Sequence, residues 1–163
     1  MRFRICVIAF LSVLLGACAV TPPFSEEALR AVDRTLTPEQ AVQAAVRDTR
    51  VLWGGVIISV DNLPDHTDIT ALSLPLDKEQ RPDFDKPPQN RFIVRYSGYL
   101  ETMVYAPGRE ITVLGNVQEA REGKVGDAPY RFPVMKADQI HLWPLREDSR
   151  VHFGVGIGVD LHL

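Results

Sequence analysis

Cysteine is almost absent from this chain. Of 163 residues only Cys6 and Cys18 carry a thiol, and both lie in the first eighteen. The body that follows must therefore hold together without a disulfide or a cysteine-ligated metal. Long apolar runs are missing as well. Ile5 to Leu15 has eleven residues, interrupted by Ser12, short of the roughly 20 that span a bilayer as a helix. No later run is long enough to do so. There is no excess of positive charge: 18 basic residues stand against 21 acidic ones, a net charge of −3. Nucleic acid is a poor partner for such a surface. His66, His141, His152 and His162 show no i, i+3 or i, i+4 pairing, so metal-ligand spacing is lacking. Ser59, Ser73, Ser97 and Ser149 have no nucleophile context, and Glu101, Glu110 and Glu122 are too scattered to read as an acid–base pair. The sequence names no catalytic residue, no metal ligand and no cofactor, which argues against an enzyme.

What is present begins at the N-terminus. Met1-Arg2-Phe3-Arg4 is positive, Ile5 to Leu15 is apolar, and small residues follow. This is the pattern of a secretory signal peptide over residues 1–17. Its ending, Leu15-Gly16-Ala17-Cys18, resembles the lipobox of bacterial lipoproteins. The resemblance implies that Leu15, Gly16 and Ala17 are read by the signal peptidase and that the Cys18 sulfur carries a diacylglyceryl group. Each buried methylene contributes ~0.8 kcal/mol, so two or three chains on one residue anchor durably where one does not. Membrane lipid is thus the expected partner. Ala19, where an aspartate would signal retention, resembles the outer-membrane sorting pattern of enteric-type bacteria. Losing Arg2 and Arg4 with the leader leaves 16 basic residues against 21 acidic, a charge of −5.

Residues 18–36 read as the lipidated N-terminus and a tether, with Ser25 as the cap of a short helix to Val32. Residues 37–163 read as one domain. Thr37-Pro38-Glu39-Gln40 predicts a capping box and a helix running to Val46 or Arg47. After Arg50 the periodicity becomes that of strands. Val51 to Val60 is the first, with Gly54-Gly55 predicting a bulge or bend. Thr67 to Leu76 returns from it, and Asp77 to Asn90, with three prolines, is a surface loop. Further strands are expected at Arg91–Tyr96, Ile111–Val117 and Tyr130–Met135, with turns at Pro107-Gly108 and Gly123 to Asp127. Gln139 to Trp143 is a sixth strand or a continuation of the fifth. The expected fold is mainly β: a small antiparallel, OB-like, partly open barrel of five to six strands with one or two N-terminal helices.

These segments carry a further pattern. It runs from Val51-Leu52-Trp53-Gly54-Gly55-Val56-Ile57 through Gly98-Tyr99-Leu100-Glu101 and Tyr105-Ala106-Pro107-Gly108-Arg109. It continues with Val113-Leu114-Gly115, Arg121-Glu122-Gly123-Lys124-Val125-Gly126 and Tyr130-Arg131-Phe132-Pro133-Val134, and closes at His141-Leu142-Trp143-Pro144. In this order, after a lipobox, the set resembles the Slp family of outer-membrane lipoproteins, over roughly residues 38 to 158. The resemblance implies an envelope protein, in some members linked to starvation and acid stress, and no known reaction. A body on the periplasmic face is the expectation. The alternative is a module that binds a small ligand or oligosaccharide on one barrel face, which a groove of convergent tyrosines would favour.

Two segments invite sharper readings. Gly154-Val155-Gly156-Ile157-Gly158 superficially resembles a phosphate loop, but no helix follows it. It reads instead as a strand with a bare glycine face, which either completes the domain's own sheet or adds to the sheet edge of an envelope protein partner. Arg121-Glu122-Gly123-Lys124 reads as a solvated hairpin tip rather than a contact patch. Tyr99, Tyr105, Tyr130 and Trp143 are expected to bury against the barrel, with Trp53 in its core.

Overall fold

A computed structural model describes residues 21–146. One helix and five strands account for its regular structure: α1 (Pro38–Gln43), β1 (Arg50–Asn62), β2 (Thr67–Leu74), β3 (Arg91–Tyr96), β4 (Glu110–Val125) and β5 (Ala128–Leu142). The strands form a closed barrel in the order β1-β2-β3-β5-β4. It is closed, where a partly open one was expected. Closure depends on β1, which pairs with β4 over Arg50–Val56 and with β2 from Gly54 onward. Every ladder is antiparallel except β3 with β5, where Ile93 lies parallel to Val134. This is the five-stranded OB-like arrangement.

The alternation of β1 explains its two faces. Val51, Trp53 and Ile57 point inward, where they meet Ile69, Phe92, Val113 and Met135 in a filled core. Trp53 stands edge-on to Phe92 with ring centroids 5.5 Å apart, and its indole N–H donates to the Leu36 carbonyl at 2.8 Å. Helix α1 covers one end of the barrel with buried Ala41. The Thr37–Gln40 capping box is formed, but the helix stops at Gln43, short of Val46. There Ala45 takes a positive φ of 49°, and Val46 N–H donates back to the Ala41 carbonyl at 2.9 Å. That Schellman-type reversal returns the chain to the barrel.

Ser25 to Val32 does not form the expected helix; it is a run of turns. Ser25 does cap, accepting from Ala28 N–H at 3.2 Å, but Phe24 and Leu29 are drawn onto the barrel wall. Gly54-Gly55 is not a bulge either. The β1–β2 register runs unbroken there and shifts only between Ile57 and Ser59. The glycines serve close approach: a Cβ on Gly55 would collide with the Leu72 carbonyl oxygen. The fifth and sixth expected strands are one, β5. Residues Gly123 to Val125 belong to β4, and the turn narrows to Gly126-Asp127, with Gly126 at φ 60°. The Arg121–Lys124 stretch is therefore not a hairpin tip. Beyond the irregularity between Gln118 and Arg121, β4 and β5 leave the barrel as a two-stranded arm.

Candidate functional site

Two apolar clusters coat the outside of the barrel. On the β3 side Phe132 of the arm packs in one cluster with Ile93 and its β5 neighbour Val134. Tyr130 locks it: its hydroxyl accepts from Arg91 N–H at 2.9 Å and donates to the Arg91 carbonyl at 3.3 Å. On the opposite, β1–β4 side, Phe24 and Leu29 cover Leu52 and Leu114, with Leu76 beside them.

Gln80 holds this second cluster together. The Phe24 N–H donates to Gln80 Oε1 at 3.1 Å, and Gln80 Nε2 donates to the Phe24 carbonyl at 3.0 Å. Both residues are buried, with exposures of 4% and 7%. The Gln80 backbone carbonyl accepts from the Thr112 hydroxyl at 2.7 Å, and Trp143 Nε1 donates to the same hydroxyl at 2.9 Å. The N-terminal segment, the 77–90 loop, β4 and the end of β5 thus share one hydrogen-bonded seam. Beside it lies a groove of about 400 Å³ between the N-terminal segment and β1–β2, lined by Leu36, Trp53, Leu74 and Pro75 with Arg34 and Lys78 near Glu26 and Asp77. Its lining is about as polar as it is apolar.

Two buried carboxylates sit outside the barrel lumen. Asp68 on β2 receives Arg95 in a bidentate pair at 3.0 and 3.1 Å and Arg121 of the arm at 2.8 Å. Glu110 receives Arg81 at 2.7 Å and Arg146 at 2.9 Å. Burial pushes both carboxyls up, but the hydrogen bonds and charges of these arginines outweigh it and hold each below the ordinary carboxylate range. Carboxylates so saturated are structural ties and poor proton acceptors. His141 lies edge-on to Trp143 at 4.4 Å; burial, then the Arg81 charge, lowers its pKa. Among the described residues, no three of His, Cys, Asp and Glu are grouped to hold a metal ion, and no helix is long and apolar enough to cross a membrane.

Leu15, Gly16, Ala17 and Cys18 lie outside the described residues, as do Ser149, His152, His162 and the glycine-rich segment 154–158. Of the aromatics, Trp53 and Trp143 are buried, and Tyr105 and Tyr130 partly so. Tyr99, expected to bury, is 68% exposed, because Asn62 holds the adjacent Leu100 backbone and turns the preceding residue outward. Tyr96 and Tyr105 pack on the barrel core, whereas Tyr130 sits with Phe132 on the β3 side. Sequence reasoning missed Gln80, Asp68 and their partners. Gln80 lies 56 residues from Phe24 and Arg121 lies 53 from Asp68, and no local spacing links such pairs.

Several known proteins resemble this chain. The uncharacterized lipoprotein YeaY of Escherichia coli is 24% identical over 83% of this chain and 70% of its own length. The outer membrane protein Slp of the same organism is 34% identical over 58% of this chain and 50% of its own. An uncharacterized Haemophilus influenzae protein is 34% identical over 58% and 52%. The chain therefore spans about half the length of these last two relatives. Among solved structures, the mitochondrial single-stranded DNA-binding protein Rim1 of S. cerevisiae aligns with 58% of this chain and 94% of its own, at a TM-score of 0.36 and 11% identity. A small single-stranded DNA-binding protein from Streptomyces coelicolor covers the same shares at a TM-score of 0.37 and 15% identity. Likeness this weak carries no functional argument. The model of the outer membrane lipoprotein Slp family matches residues 15–156, a stretch that takes in Leu15 to Cys18 and all five strands of the barrel. The chain belongs to the outer membrane lipoprotein Slp family.

Proposed function

We propose that this protein is a non-enzymatic component of the cell envelope, held by acyl chains on Cys18 at the periplasmic face of the outer membrane, and that it serves under starvation or acid stress. The observation that carries the anchor is Leu15-Gly16-Ala17-Cys18 after a charged and apolar leader, within the stretch that matches the family. A filled barrel with arginine-saturated carboxylates supports binding or assembly over catalysis. The test is metabolic labelling with palmitate in cells that make the intact protein or its Cys18→Ala variant. The intact protein takes up label and sediments with outer membranes, and the variant does neither. Label on the variant would overturn the anchor.

A module for small ligands or oligosaccharides is the weaker reading. The barrel interior is closed and filled, and no tyrosine lines the groove beside the N-terminal segment.

A further inference from the structure

We infer that the β1–β4 flank is the side of the barrel that rests on the bilayer, with Phe84 and Leu145 seated in the lipid interface. The inference rests on the lipidation of Cys18 and adds an orientation to it.

The first argument is chain length. Five residues lie between Cys18 and Phe24, six Cα–Cα steps in all. At most ~3.6 Å per residue, they reach about 20 Å. Phe24 is not free to extend that reach. It is buried on Leu52 and Leu114, and both its backbone polar groups are tied to Gln80. Gln80 is in turn tied to β4 through Thr112. A short leash fixed to one flank brings that flank to the membrane.

The second argument is what the flank displays. The loop that carries Gln80 also carries Phe84, 54% exposed, and the neighbouring end of the described chain carries Leu145, 70% exposed. The Arg146 guanidinium lies over the Phe84 ring, 4.8 Å from its centroid. Arg146 is itself fixed on Glu110 at 2.9 Å and on the Pro82 carbonyl at 2.9 Å. An aromatic and a leucine on a charged rim suit the water–lipid boundary, where amphipathic surfaces bind.

Among the described residues, the other large exposed apolar side chains are Leu63, Tyr99, Met103 and Val104, around the β1–β2 turn and the loop after β3. Leu63 lies eleven residues along from Leu52, the contact of Phe24. In a strand that is about 36 Å, well beyond the leash. The arm lies on the opposite, β3 side.

The experiment uses lipidated protein in vesicles of phosphatidylethanolamine and phosphatidylglycerol. Single cysteines at Phe84→Cys, Leu145→Cys, Met103→Cys or Asp127→Cys each carry an environment-sensitive dye. The expected result is a blue shift and several-fold stronger quenching by shallow spin-labelled lipid at 84 and 145 than at 103 and 127. Flotation of the same samples reads the anchor separately. Protein that floats while its dyes at 84 and 145 stay in water, or that shows the stronger quenching at 103, overturns the orientation alone. Protein that fails to float overturns the lipidation as well.

Discussion

At the residue scale, the groups that matter most are the two buried carboxylates. Each is held below its unfolded value, so each contributes stability that is complete above the unfolded pKa and lost as pH falls through the folded one. With unfolded values of about 4, these two carboxylates should weaken the barrel only below about pH 5, whereas His141, held neutral by burial and the Arg81 charge, should begin to lower the unfolding midpoint as pH falls through about 6.5. Urea unfolding at a series of pH values checks this. Asp68→Asn should cost about 2 kcal/mol at neutral pH, since Arg95 and Arg121 stay partly solvated, and should flatten the acid decline. An unchanged acid decline in that variant would remove Asp68 from the account. None of this was legible from the sequence. Asp68 is one acid among many, and its arginines arrive from β3 and from the arm.

At the element scale, the clasp between Phe24 and Gln80 can be tested without disturbing the core. Gln80→Ala removes two buried hydrogen bonds and should weaken the docking of residues 22–32 by about 2 kcal/mol. Hydrogen exchange should then rise across that segment while β1 to β5 stay protected. Gln80 sits at φ 68°, so Gln80→Gly relieves the backbone yet loses the same bonds. Both variants should loosen the segment; loosening in neither would mean the apolar contacts of Phe24 suffice. The strands themselves were largely legible, because runs such as Arg91–Tyr96 and Ile111–Val117 are rich in β-branched residues and lie between loops and turns marked by proline and glycine. The join of the fifth and sixth segments stayed open, because the polar Lys136-Ala137-Asp138 stretch interrupts the apolar pattern; it remains in β5, and the β4–β5 register shifts opposite Asp138. The helix expected over residues 25–32 is absent for a different reason. Its propensity is local, whereas the barrel wall claims Phe24 and Leu29.

At the scale of the whole molecule, the mainly β, OB-like class was readable from strand spacing and turns, and the family from motifs in order. The degree of closure was not, because it depends on β1 being long enough to pair on both sides at Gly54 to Val56. That closure bears on the glycine-rich C-terminal segment. The five strands complete their ring within residues 21–146, so the ring needs no strand from residues 152–163. Deleting residues 152–163 should leave the thermal midpoint and the far-ultraviolet circular dichroism of the barrel intact. Loss of folding would show that the segment belongs to the domain's own sheet. Intact folding with loss of an assembly in crosslinked cells would assign it to an envelope protein partner.

The ring also sets a timetable. Arg50 pairs with Asn116, 66 residues later in the chain, and contacts so remote in sequence form slowly. A chain that emerges N-terminus first releases β1 early, with one edge waiting for a partner that is still in transit. Until Glu110 and the residues after it have followed, that edge is adhesive toward any other strand. The hairpin with β2 comes first, and the ring shuts last. The hazardous interval in the life of this protein thus runs from the arrival of its first strand to that of its fifth, which pairs with both β3 and β4 and closes the ring.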